Sequence, residues 1–321
     1  MIWLSWRQFR TQAIAAGVAL AAAAAALIVI GLTIRQDPYL DCTANCGNLA
    51  AEFRDKWVNL LYFVDAGLLV LPAVLGIFWG APLVARELES GTHRLVWNQS
   101  VTRNRWLAIK LLVVGAAAAL TAGLAGALLT WAASPYDAVA GDRFSGLIFG
   151  LRNLAPIGYA VFAFTLGTTL GLLLRRTLPA MALTGLLVIV VQILVPTTLR
   201  PHFLTPETRE VPMTAGVVAN LSFLGSDADI SGLSMPDALI VSTSRLLGAD
   251  GRVVDLDRYH ECVAGPPETA PACLEKLNLH VRAVYQPPSR YWTFQTLELG
   301  LYLVLALLLA GWALGRIRPS R

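Results

Sequence analysis

Residues 60–110 read "LLYFVDAGLLVLPAVLGIFWGAPLVARELESGTHRLVWNQSVTRNRWLAIK". The first 26 of them carry a single charge, Asp65. The next 25 carry Arg86, Glu87, Glu89, His93, Arg94, Arg103, Arg105 and Lys110. An apolar run of this length exceeds the roughly 18 residues needed to cross a hydrocarbon layer about 30 Å thick. The stretch therefore reads as one membrane span, a short charged loop and the start of the next span.

Working outward, the same pattern recurs. Apolar runs at 11–34, 60–85, 106–131, 154–174, 178–199 and 291–315 are each long enough to span. Only 14% of the 321 residues are charged and 56% are apolar; a soluble domain would carry roughly a quarter charged. The expected fold is an all-α polytopic membrane protein of six transmembrane helices, with an extracytoplasmic domain between the fifth and sixth. That domain covers 200–290, holds three of the four histidines and mixes prolines and turns with short apolar stretches. Residues 1–10, "MIWLSWRQFR", read as a cytoplasmic amphipathic lead-in helix, 11–199 as the first five spans, 291–315 as the sixth and 316–321 as a cytoplasmic tail. The first run is too long for a signal-peptide core, so it is expected to remain as a span. The net charge of +4 is spread over loops and suggests no nucleic-acid partner.

Lysine and arginine orient the spans. With the N-terminus inside, twelve basic residues fall in inner segments and five (Arg35, Arg54, Lys56, Arg143 and Arg152) in the two short outer loops. Both termini are therefore expected in the cytoplasm of a plasma (inner) membrane protein. In this orientation Cys42, Cys46, Cys262 and Cys273 all lie on the oxidising side, which reads as two disulfides. Three connectivities are open, and the local pairs Cys42–Cys46 and Cys262–Cys273 are the expectation.

Catalytic chemistry finds little support. No expected span contains a histidine and the chain has no HExxH motif. Asp65 and Glu298 lie within spans, where they could line a pathway or gate, or simply bond a neighbouring helix. "DLDRYHEC" gathers Asp255, Asp257, His260 and Glu261, but a solvated helical face explains that set, and no metal site is expected. None of Lys56, Lys110 and Lys276 follows a glycine, so there is no phosphate loop for ATP and no enzyme or resident cofactor is expected. The spacings "GTTLG" (167–171) and "GWALG" (311–315) permit close helix contact.

Topology requires only the basic residues of 86–110. It leaves Glu87, Glu89 and the Gly91–Thr92 pair unexplained. The run "ARELESGTHRLVWNQSVTRNRWLAIKL" resembles the signature of type-2 ATP-binding-cassette (ABC) exporter permeases, in which an R-E-x-E-x-G-T element after the second span leads to a basic pair and the third span. The lead-in "MIWLSWRQFR" is similar to theirs, and "LLLRRTLPAMA" and "PPSRYWTFQTLELGLYL" resemble members of actinobacterial type. "NQSVTR" lacks the proline that many such permeases have before the basic turn.

The resemblance implies a permease subunit of an ABC exporter, moving a hydrophobic or amphiphilic substrate outward. It implies a separate ABC-type ATPase subunit carrying ATP and Mg, and a second permease subunit, identical or different, in the same bilayer. Arg86, Glu87, Glu89, Gly91, Thr92, His93 and Arg94, within a coupling loop at 86–105, would contact that ATPase. Gly91 would free the backbone at the turn, and Thr92 would cap the helix that follows. The long outer domain would gate or shape the exit. A membrane-anchored sensor or assembly factor presenting that domain is the alternative.

Overall fold

The computed structural model describes residues 2–43, 46–92, 102–266 and 268–317. The chain forms two compact units: a helical bundle of Met1–Ala140, Gly146–Thr197 and Trp292–Arg321, and an insert of Gly141–Ser145 and Thr198–Tyr291. Among the described residues, six helices are long and apolar enough to cross a membrane.

In the bundle, α1 (Ile2–Arg35) runs unbroken. The lead-in expected over 1–10 and the first span are thus one helix, as the absence of proline or glycine before Gly17 allows. The second span is longer than the expected 60–85. It comprises α2 (Gly47–Leu75), a π-turn (Gly76–Gly80) and α3 (Ala81–Glu89). The added first turns are amphipathic, burying Phe53 and Trp57 while Arg54 and Lys56 stay exposed. Helix α4 (Arg103–Ala140) continues past the expected end at 131, through Pro135. A short α5 (Gly146–Leu151) precedes α6 (Ala155–Leu174), and α7 (Thr177–Leu194) follows directly.

Helix α6 forms the centre of the bundle: 78% of its most apolar stretch is buried, against 17–50% for the other spans. Glycines make this possible. A Cβ on Gly80 would lie 2.4 Å from the Phe164 carbonyl oxygen, and one on Gly167 would lie 2.3 Å from that of Gly76. The π-turn therefore packs backbone against backbone on α6, and "GTTLG" is one side of that contact. By contrast, Gly311 and Gly315 of "GWALG" have nothing within 4 Å of a Cβ.

The insert corrects the all-α expectation. Strand β1 (Glu207–Pro212) is followed by α8 (Ala215–Ala219), β2 (Phe223–Leu224), β3 (Ile230–Ser231) and β4 (Leu239–Thr243). Then come α9 (Leu256–Val263), α10 (Ala270–Lys276) and β5 (His280–Gln286). An antiparallel sheet runs β1-β5-β4, and β2 pairs with β3. The signal was an alternation in "HVRAVYQ", which buries Val281 and Ala283 and leaves Arg282 exposed. Tyr259, Leu274, Leu246 and Met213 join those two side chains in the insert's own core.

Cys262–Cys273 bridges α9 to α10, and Cys42–Cys46 closes the turn before α2. The final helix, α11 (Tyr291–Arg316), returns to the bundle, where Tyr302 meets Tyr159 with ring centroids 4.6 Å apart.

Candidate functional site

The charged loop begins on α3. Gly91 lies at φ 73°, in the left-handed region that glycine tolerates, and ends the helical run. Thr92 points back, its hydroxyl 3.0 Å from that of Ser90. The helix that Thr92 was expected to cap lies outside the described residues, and α4 is capped by Thr102, whose Oγ1 accepts from Arg105 N at 3.3 Å. His93 and Arg94 lie outside the described residues.

Both acidic residues of the loop bond other spans, Glu87 nearly buried and Glu89 at the surface. Glu87 forms an ion pair with Lys110, about two turns into α4, with side chains only 14% and 4% exposed. Lys110 Nζ also donates to the Leu83 carbonyl at 3.3 Å and sits 4.6 Å from the Trp106 ring centroid. Glu87 and the Leu83 carbonyl thus hold the cation against the second span, with Trp106 of its own helix beside it. Glu89 reaches the fifth span: its Oε2 accepts from Thr177 N at 3.0 Å and from Thr177 Oγ1 at 2.7 Å. Arg176, the residue before α7, makes no side-chain cap, so Glu89 serves as the cap from a distant helix. Basic side chains stand exposed beside Glu89. Arg86, Arg105 and Arg175 are exposed and make no ion pair among the described residues.

A second charged group lies at the other end of the same long helix. Arg152, in the turn before α6, donates to Asp65 at 2.7 Å and to Asp137 at 2.9 and 3.3 Å. All three side chains are at most 6% exposed. One cation thus joins the second span, the end of α4 and the start of the fourth span. Glu298 belongs to a separate network. It is fully buried and accepts a hydrogen bond from the Tyr159 hydroxyl. One turn away, Gln295 Oε1 accepts from Leu154 N and Ala155 N at 3.2 and 3.0 Å, capping α6 from α11. Asp65 and Glu298, considered together from the sequence, are not brought together.

Against this geometry, a family model described as "ABC-2 membrane transporter related" matches residues 17–200. The chain belongs to this family. Comparison with curated proteins and with solved structures gave no match. ABC-2-related chains are membrane components of transporters rather than catalysts, and membership implies partnership with an ABC ATPase. The match covers five spans and the charged loop, and ends where the insert begins.

In this ABC-2-related chain the remaining sequence candidates have local roles. Asp255 caps α9 by accepting from Asp257 N, and a ring nitrogen of His260 lies 2.8 Å from the Ser226 carbonyl oxygen. Among the described residues no three His, Cys, Asp or Glu side chains converge as metal ligands would. Near the first disulfide, burial opposes the charge of Asp37. Hydrogen bonds from Lys56 Nζ, Tyr39 N and Trp57 Nε1 outweigh it and hold the carboxyl below its usual range. Sequence reasoning missed Lys110, Asp137, Arg152 and Thr177. Lys110 and Arg152 had been read only as flanking positive charge.

Proposed function

We propose that this chain is the permease subunit of an ABC exporter, moving a hydrophobic or amphiphilic substrate outward with ATP hydrolysed on a separate subunit. The observation that carries the reading is the double attachment of the charged loop, through Glu87–Lys110 to the third span and through Glu89–Thr177 to the fifth. A loop held only by its own backbone could move without disturbing the bundle. One tied to two further spans passes any displacement on to them, because packed interfaces shift between discrete arrangements rather than deforming smoothly.

In this reading Glu87 and Glu89 transmit, and Arg86, Arg105 and Arg175 offer the docking charge. The ATPase, with its ATP and Mg, would present an acidic surface to them. Both termini lie in the cytoplasm and the insert lies outside, where Cys42–Cys46 and Cys262–Cys273 are stable as disulfides. A second permease subunit, a copy of this chain or a relative, completes the pathway in the plasma membrane.

The test is co-purification of the ATPase followed by ATP turnover in lipid, comparing wild type with Glu87→Lys/Glu89→Lys. The variant is expected to retain the ATPase yet lose most substrate-coupled turnover. Unchanged turnover would sink the proposal.

A further inference from the structure

Helix α1 meets its neighbours unevenly. Near its C-terminal end Leu27 and Ile34 are buried against Leu129 and Ala132 of α4. A Cβ on Gly31 would lie 2.7 Å from the Trp131 ring. Toward the loop side the helices part, and Ala15, Ala19, Ala23 and Ala26 are exposed. Between them and the α2–α3 helix lies a cavity of about 1120 Å³. Its far wall is Leu68, Leu71, Leu75, Phe78 and Trp79, with Thr121 and Ala125 of α4 at its floor.

The distribution of polarity in this cavity is one-sided. Thr121 gives its hydroxyl to the Ala117 carbonyl at 2.9 Å, so the floor offers no free donor. The other polar lining residues are Arg86, Glu89 and Thr177, all at the loop end. Glu89 and Thr177 bond each other, while Arg86 is exposed without an ion pair among the described residues. The α1 wall runs from Ala15 to Ile30, about 22 Å at helical rise. One leaflet of the hydrocarbon core is about 15 Å deep, so a full acyl chain fits along it.

We propose that this cleft holds a glycerophospholipid from the loop-side leaflet, its acyl chains between α1 and α2 and its anionic headgroup on Arg86. The apolar walls select a chain, and Arg86 draws the phosphate of the head, while Glu89 at the same mouth is turned to Thr177. Occupancy needs neither nucleotide nor an ATPase, so it stands or falls separately from the permease assignment.

The full chain, placed in phosphatidylcholine nanodiscs, is photolysed with a diazirine-tailed phosphatidylglycerol or a diazirine-tailed phosphatidylcholine, and the labelled peptides are mapped by mass spectrometry. Labels from the anionic probe should concentrate at Ala19, Ala23 and Leu71, about five-fold above the zwitterionic probe for one basic contact. Arg86→Gln should abolish that preference, and Ala23→Trp, which fills the cleft from an exposed position, should reduce labelling by both probes. Equal labelling by the two probes, or labels spread evenly over Leu112, Leu120 and Leu186, would overturn the assignment. So would a cross-linked dimer joined through α1, which would make a second copy the occupant.

Discussion

On the loop side of the bundle, Arg86, Arg105 and Arg175 are exposed and make no ion pair among the described residues. At the opposite end, most basic side chains are held by the chain itself, exposed Arg54 apart. Arg152 lies between Asp65 and Asp137, and Lys56 bonds Asp37 at 2.8 Å. Arg35 donates to the Trp131 carbonyl at 2.6 Å and stacks 4.3 Å from that ring. Arg143 pairs with Asp237 at 2.8 Å, so four of the five basic residues that weaken the topology count are engaged in structure. The difference separates two uses of charge. A cation fixed by buried acids ties helices together, whereas an exposed one remains available to a partner. Each end of the second span carries such a tie, and the loop end adds a cluster of exposed arginines.

The largest effect should come from removing the cation of the buried tie. Arg152→Met leaves Asp65 and Asp137 facing each other out of water, and is expected to cost about 3–5 kcal/mol. Thermal unfolding in detergent should show it, with much of the loss recovered when both aspartates become asparagine. An unchanged midpoint would mean that this end of the bundle is held by packing alone. At the loop end, Glu89→Gln keeps an oxygen for Thr177 and removes only the charge at the start of α7. The expected loss is small, because solvent screens an exposed charge at a helix start. A loss as large as that of Arg152→Met would erase the distinction between the two ends.

Much of this was legible from residues 60–110 and their echoes, because a span is a local property: about twenty consecutive apolar side chains suffice. The disulfides were legible because four cysteines fell on one side of that topology. The ties were not, because Asp65 and Arg152 are 87 residues apart and no spacing rule links them. Glu87 and Glu89 were singled out as charge that topology did not need, but their partners within the bundle were not legible. Spacing shows that a carboxylate sits on a loop, and only packing shows that it turns inward to Lys110 or across to Thr177. The strands of the insert escaped notice because β1 alternates weakly, being exposed along nearly its whole length, and pairs with β5 some 70 residues later.

The most direct test of transmission through the loop is a charge exchange across its buried tie. Coupled ATP turnover in lipid would be measured for Glu87→Lys, Lys110→Glu and the double exchange, with wild type as reference. Each single variant places two like charges in a nearly buried site and should lose most of the coupled turnover, and the double exchange should restore a large part of it. Full turnover in either single variant, or a double exchange no better than the singles, would contradict a transmitting role for Glu87–Lys110.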